Sequence, residues 1–553
     1  MNPSPLAATP APSAFARSLP ADLSHAPKLG IIGVFLGAGV VTLAGRLLSL
    51  GLADLKGSVG IGFDHGAWIG SAFNAALVFI GPLTVYLGGL LGARRVLLIC
   101  AGIFTVVSAV LPLAHSYSLL LALLAIAGLS AGTFYPLTLT FALRSLPLRY
   151  LPLTLAIYAS CIEGAVNFAP SLYGSFHDHL SWRWMFWAPA IITPVMMACI
   201  RFGMPSSKPP QRTGPAPSFA GFLYASAGFG LVYVALDQGQ RLDWWRSGIF
   251  TALFVGGVFF LLCALLRRIQ RPNPLVDLPY LRQRNTQLLA LMLFAFRFAL
   301  LATILVIPQS LGARGFDSTQ IGPAILGTAI AEMVVTFVGA YFLMEGLDPR
   351  LLMAIGFACI GLAACLNADF SSSWSAANFF RTELLMAVGQ SFAFIGLVSS
   401  LLLQAFFSGG MEAPQRVLTF SAFFHTVRLV GGQIGVVWMV HFMGNREKLH
   451  SNLLGLHVQS GEWVTDGTLR SLASALNGRS NGLAAATGRA VGIVNGRVRL
   501  EAFSLTFIDS FHLIAWACVL TLLLIAFMRR APMNLRELGR LQSAPDASRE
   551  VKL

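Results

Sequence analysis

Six charged residues stand where the sequence otherwise avoids charge. Arg46, Arg297 and Arg381, and likewise Glu163, Glu332 and Glu383, each lie in a long apolar stretch. Placing such a group in hydrocarbon costs roughly 2.5–3.5 kcal/mol on insertion scales. It therefore faces a water-filled cavity or a partner, and a functional role is the default reading. Arginine offers a planar fork matched to carboxylate or phosphate, so arginines converging on one cavity favour an anionic ligand. The plainer alternative is that each pairs with an internal acid, Arg381 with Glu383 for instance, and only holds helices together. A membrane-embedded carboxyl can bind and release a proton as its surroundings alternate between protein and water. Glu163, Glu332 and Glu383 are the candidates, with a static ion pair as the alternative for Glu163. His425, three residues before Arg428, either titrates or serves as a hydrogen-bonder between helices.

The elements that must carry these residues are membrane helices. Residues 29–52, LGIIGVFLGAGVVTLAGRLLSLGL, hold one charge, Arg46, in 24 residues, which is long enough to cross the hydrocarbon. Only 11% of the 553 residues are charged and 56% are hydrophobic, against about 25% charged in a soluble domain. The fold class is an all-α polytopic membrane protein. A net charge of +15 raises nucleic acid as a partner, but the basic residues lie mostly in loops between spans, which is the positive-inside pattern. All seven cysteines fall within spans without zinc or redox spacing, so neither a disulfide framework nor a metal is expected.

Fourteen spans follow, at about 29–52, 67–91, 96–114, 118–142, 151–175, 185–204, 218–236, 247–266, 286–311, 319–343, 351–367, 376–406, 415–442 and 505–528. Loops on one side carry about fourteen Lys or Arg and the short loops opposite about five. That bias puts both termini in the cytoplasm. Residues 1–28 read as a disordered tail, 205–217 as a Pro-rich cytoplasmic linker, 268–285 as a basic cytoplasmic loop and 531–553 as a polar tail. The punctuation leaves six spans over 29–204, two central spans over 218–267 and six over 286–530, with a long outer loop at about 443–504. Two six-helix halves are the layout of the major facilitator fold, with substrate at the midplane between them; the two central helices are extra.

Local motifs then resemble the 14-helix drug:proton antiporter family of that superfamily, the EmrB/QacA type, over about residues 29–530. Residues 181–186, SWRWMF, match between spans five and six. Ala169, Pro170, Ser171, Leu172, Tyr173 and Gly174 resemble the antiporter motif GPxxGG, keeping Pro170 and Gly174. Asp243, Trp244 and Trp245 resemble its DWF, and PLVDL at 274–278 with Arg284 and Asn285 resembles PxxDLxLFRxR. Arg428 with Gly431, Gly432 and Gly435 resembles RxxGGxxG, and His450 with Asp509, Ser510 and Phe511 resembles the markers bracketing the outer loop. Departures are as informative. Ala44 and Arg46 stand where the helix-one pattern has aspartate and threonine. Gly89 replaces the aspartate of the loop motif GxLxDRxGRR, which keeps Gly92, Arg94 and Arg95. Leu124 and Ala127 replace the arginine and glutamine of RxxQG. The chain resembles a divergent subgroup.

The resemblance implies that spans one, four, nine and twelve line the cavity. Arg46, Arg297, Arg381 and Gln390 are then substrate-binding candidates, and Glu163, Glu332, Glu383 and His425 proton-coupling candidates. Arg94, Arg95, Pro170, Gly174 and Arg428 are gating candidates. Phe294, Phe296 and Phe298 flank Arg297 at i, i+2, i+4, so at least one is expected to face lipid. The function implied is a bacterial inner-membrane exporter of a small amphipathic compound or drug, anionic and aromatic as one form, driven by the proton gradient without a cofactor. A periplasmic adaptor and an outer-membrane channel are the partners implied beside the bilayer. An uptake carrier for an organic anion is the alternative on the same fold. A membrane enzyme would rest on His177, Asp178 and His179 alone, and a nucleotide-driven pump lacks its GxxxxGK[ST] loop.

Overall fold

A computed structural model describes residues 27–145, 151–204, 219–270, 283–407, 414–478, 482–530 and 536–537. The expected tails and linker, and most of the loop at 268–285, lie outside the described residues. Thirteen helices among those described are long and apolar enough to cross a membrane, and Leu151–His179, 29 residues long, adds a fourteenth by length. Labelled in order, they are α1 Pro27–Leu50, α2 Phe63–Leu91, α3 Ala93–Val110, α4 Tyr117–Leu143, α5 Leu151–His179, α6 Trp184–Gly203, α7 Phe219–Gly239 and α8 Gly248–Gln270. There follow α9 Arg284–Gly312, α10 Ser318–Met344, α11 Pro349–Asn367, α12 Phe380–Phe407, α13 Pro414–Gly455 and α14 Leu483–Ala526.

Between helices in lipid there is no hydrophobic drive, so close packing on small residues holds them. In the first half α1 packs on α6, α5 and α4, and α2 on α4. The α1–α6 contact is backbone to backbone: a Cβ at Gly203 would lie 1.9 Å from the Gly30 nitrogen. In the second half α12 packs on α10 and α11, and α14 on α11 and α13. The halves meet through α5 against α10 and α12, and through α13 against α2 and α4. At the α5–α10 contact a Cβ at Gly322 would lie 2.7 Å from Ser171 Cα. Helices α7 and α8 pair with each other, and α7 lies on α2.

Two expectations are corrected. The outer segment 443–504 is largely helical rather than a loop. At 42 and 44 residues, α13 and α14 are roughly 63 and 66 Å long, twice what about 30 Å of hydrocarbon needs. They run on beyond it, joined through the helix Trp463–Asn477, which packs on α14 around Ala473, Ala486 and Ala490. Second, the Phe294 trio is less exposed than expected: Phe296 and Phe298 are buried with their rings tilted against Phe394 and Trp438, and Phe294 is half-buried against Gly431. Helix α9 touches α12, α13 and α14 over this stretch, while Leu291, one turn before the trio, is its exposed side.

Candidate functional site

The costly polar residues gather where the halves meet. Glu163 is 2% exposed and Glu332 1%. Asn167, one turn after Glu163 on α5, donates to Glu332 Oε2 on α10 at 2.9 Å and lies 3.4 Å from Gln390 Oε1 on α12. Gln390 Nε2 donates to Thr303 on α9 at 3.1 Å, and Thr303 donates to Glu383 Oε1 at 3.2 Å; Thr328 donates to Glu383 Oε2 at 3.0 Å. A continuous hydrogen-bonded chain thus runs from Glu332 to Glu383, with Asn167 its member from the first half. Neither oxygen of Glu163 accepts a hydrogen bond, and Glu332 Oε1 accepts none.

Beside this chain lie three arginines. Arg297 and Arg428 exert their charge on Glu163, and Arg46 and Arg297 repel each other. Arg297 comes to rest on α13 because Gly432 leaves room: a Cβ there would lie 3.1 Å from its Nε. Arg428 sits over the Tyr135 ring at 4.3 Å, and both line a small pocket with Tyr158, Ser421 and His425. Tyr135 and His425 rings are 4.9 Å apart. Arg46 reaches across the halves to donate from Nη2 to the Ile304 carbonyl at 3.0 Å. The Nε of Arg46 and of Arg297, and both ring nitrogens of His425, are buried without a hydrogen-bond partner.

The structure therefore brings together Arg46, Arg297, Gln390, Glu163, Glu332, Glu383, His425 and Arg428. Gln390 is tied to Thr303 and Asn167 rather than left facing a ligand. Arg381 is corrected: it is exposed, while Glu383, two residues on, turns inward. Neighbours two apart on a helix point about 200° apart, which excludes both Arg381 as a cavity residue and the Arg381–Glu383 pair. Pro170 and Gly174 are buried inside α5. Arg95 is exposed, and Arg94 donates to the Arg201 carbonyl at 2.5 Å, an acceptor it takes where Gly89 supplies no carboxylate. The loop in the equivalent place of the second half keeps an acid: Asp348 caps α11 and pairs with Arg350 at 2.8 Å. His177, of the His177–Asp178–His179 run, pairs with Asp54 at 3.1 Å.

Sequence reasoning missed Asn167, Thr303, Thr328 and Tyr135. Asn167 had a signal, since it lies four residues after Glu163 and so on the same helical face. Thr303 had another in Pro308: the turn Ala302–Val306 is π-helical, and such bulges mark functional sites.

Comparisons agree with this architecture. Residues 34–436 match the family model described as Major Facilitator Superfamily. The multidrug export protein EmrB of Haemophilus influenzae is 23% identical over 445 residues, 80% of this chain and 86% of that protein. The fatty acid resistance protein FarB of Neisseria gonorrhoeae is 23% identical over 453 residues, 81% of this chain and 85% of that one. Among solved structures, the human organic anion transporter MFSD10 superposes with a TM-score of 0.51 at 15% identity, covering 90% of this chain and 99% of its own. At that identity the likeness is one of fold.

Proposed function

Because this chain belongs to the Major Facilitator Superfamily and is a multi-pass secondary transporter, we propose that it exports a small amphipathic anion in exchange for protons. The observation that carries this reading is the pair Arg46 and Arg297, one from each half, repelling each other and each with an unpartnered buried Nε. An anion placed between them relieves the repulsion and accepts hydrogen bonds in which both partners are charged, which a carbonyl acceptor cannot offer. It would draw Arg46 from the Ile304 carbonyl and so rearrange the contact between the halves. The aromatic and apolar residues around Tyr135 and Phe294 suit a carboxylate or sulfonate on an aromatic or alkyl body. The relative FarB, a fatty acid resistance protein, fits that class.

On the same reading Glu163 and Glu332 exchange the proton. Asn167 holds Glu332 across the boundary of the halves, so a proton there acts on the interface that the anion also acts on. A carrier whose halves re-close with either ligand bound, but not empty, exchanges one for the other. The chain sits in a bacterial inner membrane with both termini in the cytoplasm. The helical segment 443–504 stands outside, where a periplasmic adaptor leading to an outer-membrane channel would dock.

The test uses everted vesicles holding the protein and a proton gradient, acid inside. Aromatic and fatty acids are compared with lipophilic cations. Dissipation by acids alone supports the proposal. A response to cations alone overturns the anion site, and a deepening of the gradient on adding acids overturns exchange in favour of cotransport.

A further inference from the structure

Helices α7 and α8 belong to neither half, yet α7 carries a charged residue that no transport role has absorbed. Asp237 sits in the last turn of α7, which has no basic residue. A carboxylate at a helix C-terminus opposes the helix dipole, so its surroundings must supply the compensation. They do so from both halves at once. Ser71 on α2 donates to Asp237 Oδ2, and Gln433 on α13 donates to Oδ1 at 2.8 Å. The other end of the Gln433 amide is held too, its Oε1 accepting from Tyr233 OH at 3.0 Å. Gln433 is therefore clasped at two points by α7. Eight residues on, along the same face of α13, His441 meets Gln240 at 3.2 Å and Trp244 edge-on at 6.1 Å.

The grip of α7 on α2 is the broader one. Gln238 Nε2 donates to the Ala67 carbonyl at 3.0 Å, and Arg241 bridges Gln238 Oε1 at 2.7 Å and Asp64 Oδ1 at 2.9 Å. Lower down, Gly230 lies against Phe79. Helix α7 thus rides with the first half, and its link to the second half runs through Gln433 and His441. Apart from Gly230 against Phe79, these contacts lie toward the end of the bundle away from the chain termini, because α2 enters there at Phe63 and α7 leaves there at Gly239.

We propose that Asp237, with Tyr233, is a latch that clasps Gln433 and holds α2 against α13 at this end, making the two additional helices a working part of the transport cycle. Opening that end requires α13 to leave α2, and so requires Gln433 to leave both partners at once. The closed state is stabilised by two hydrogen bonds, one of them to a charge. Asp237 is a positioning residue: it acts through Gln433 and sets the equilibrium between open and closed. The inference rests on alternating access between halves and is independent of the substrate and of the coupling ion.

The experiment reads that equilibrium directly. Spin labels are attached at Phe63 and Lys448, both exposed, in a cysteine-replaced chain in lipid nanodiscs, and their distance distribution is measured without substrate. Asp237→Ala is expected to raise the open-to-closed ratio about tenfold, the effect of losing a hydrogen bond to a charged group, and Gln433→Ala, which loses the Tyr233 bond as well, is expected to raise it further. Tyr233→Phe, which deletes one hydroxyl and leaves packing intact, is expected to raise it less. Asp237→Asn keeps an acceptor oxygen for Gln433 and is expected to restore most of the closed population. The Asp237→Ala/Gln433→Ala pair should match Gln433→Ala alone rather than sum the two. Unchanged distributions in Gln433→Ala and Tyr233→Phe would overturn the latch even if Asp237→Ala failed to fold. Additive effects in the double variant would overturn it as well.

Discussion

Arg46 donates to the carbonyl of Ile304, 258 positions away, because Pro308 leaves that carbonyl without its helical donor. Proline has no N–H, and its ring displaces the carbonyl four residues before it. Helix α9 answers with the π turn at Ala302–Val306. That turn also puts Thr303 between Gln390 and Glu383. One proline thus opens a seat for the cation of the opposite half and places a link in the polar chain.

Substitution at the arginines separates charge from geometry. Arg46→Ala and Arg297→Ala should each lower transport of an anionic substrate about 10- to 100-fold, corresponding to loss of a charged hydrogen bond, with normal amounts of protein in the membrane. Arg46→Lys keeps the charge without the fork and should fall between. Vesicle transport with parallel immunoblots checks this, and wild-type rates in both alanine variants would remove the arginine site.

Coupling is expected to fail before exchange does. Glu163→Gln and Glu332→Gln should abolish substrate-driven proton movement while sparing exchange of labelled for unlabelled substrate. Proton movement at the wild-type rate in Glu163→Gln would exclude that residue as the carrier.

Two glycines should respond in opposite ways. Gly432→Ala presses only on the flexible end of Arg297, 3.1 Å from the new Cβ, and should raise KM several-fold with little change in Tm. Gly203→Ala meets Gly30 backbone at 1.9 Å, and should destabilise the fold by about 1–3 kcal/mol. Thermal unfolding in detergent beside transport kinetics distinguishes them. Equal loss of Tm in both would show that Gly432 is a packing residue only.

Asp348, between α10 and α11, gives a pH signature. Burial pushes its carboxyl up, but hydrogen bonds from the Arg350 side chain and backbone, with the Arg350 and Arg530 charges, outweigh this and hold it below its ordinary 3.8. A lowered value means that the carboxylate stabilises the fold fully above the ordinary value, and that this is lost as pH falls through the lowered one. Asp348→Ala, which also removes the α11 cap, should cost about 1 kcal/mol near neutral pH. Its Tm deficit against the native chain should shrink below about pH 4, by the same linkage; a deficit constant to lower pH would contradict the ion pair.

Chain composition and span length by themselves determined that this is a helical membrane protein, because hydrocarbon thickness fixes how many apolar residues a span needs, and the Pro-broken stretches at 205–217 and 268–285 grouped the spans as six, two and six. The expense of a charge in lipid likewise singled out Arg46, Arg297, Glu163, Glu332 and Glu383. Only the tertiary structure decided which of the marked residues face inward. In a soluble helix the apolar stripe reports the buried face, but in lipid both faces are apolar and the pattern loses its phase. Arg381 and Glu383 looked alike in sequence and turned apart for that reason. Asn167 and Asp237 stood in helices that the pattern did explain, and their roles came from partners 165 and 196 positions away. Helix rotation and the meeting of distant spans are settled by packing, and packing at that separation leaves no local trace.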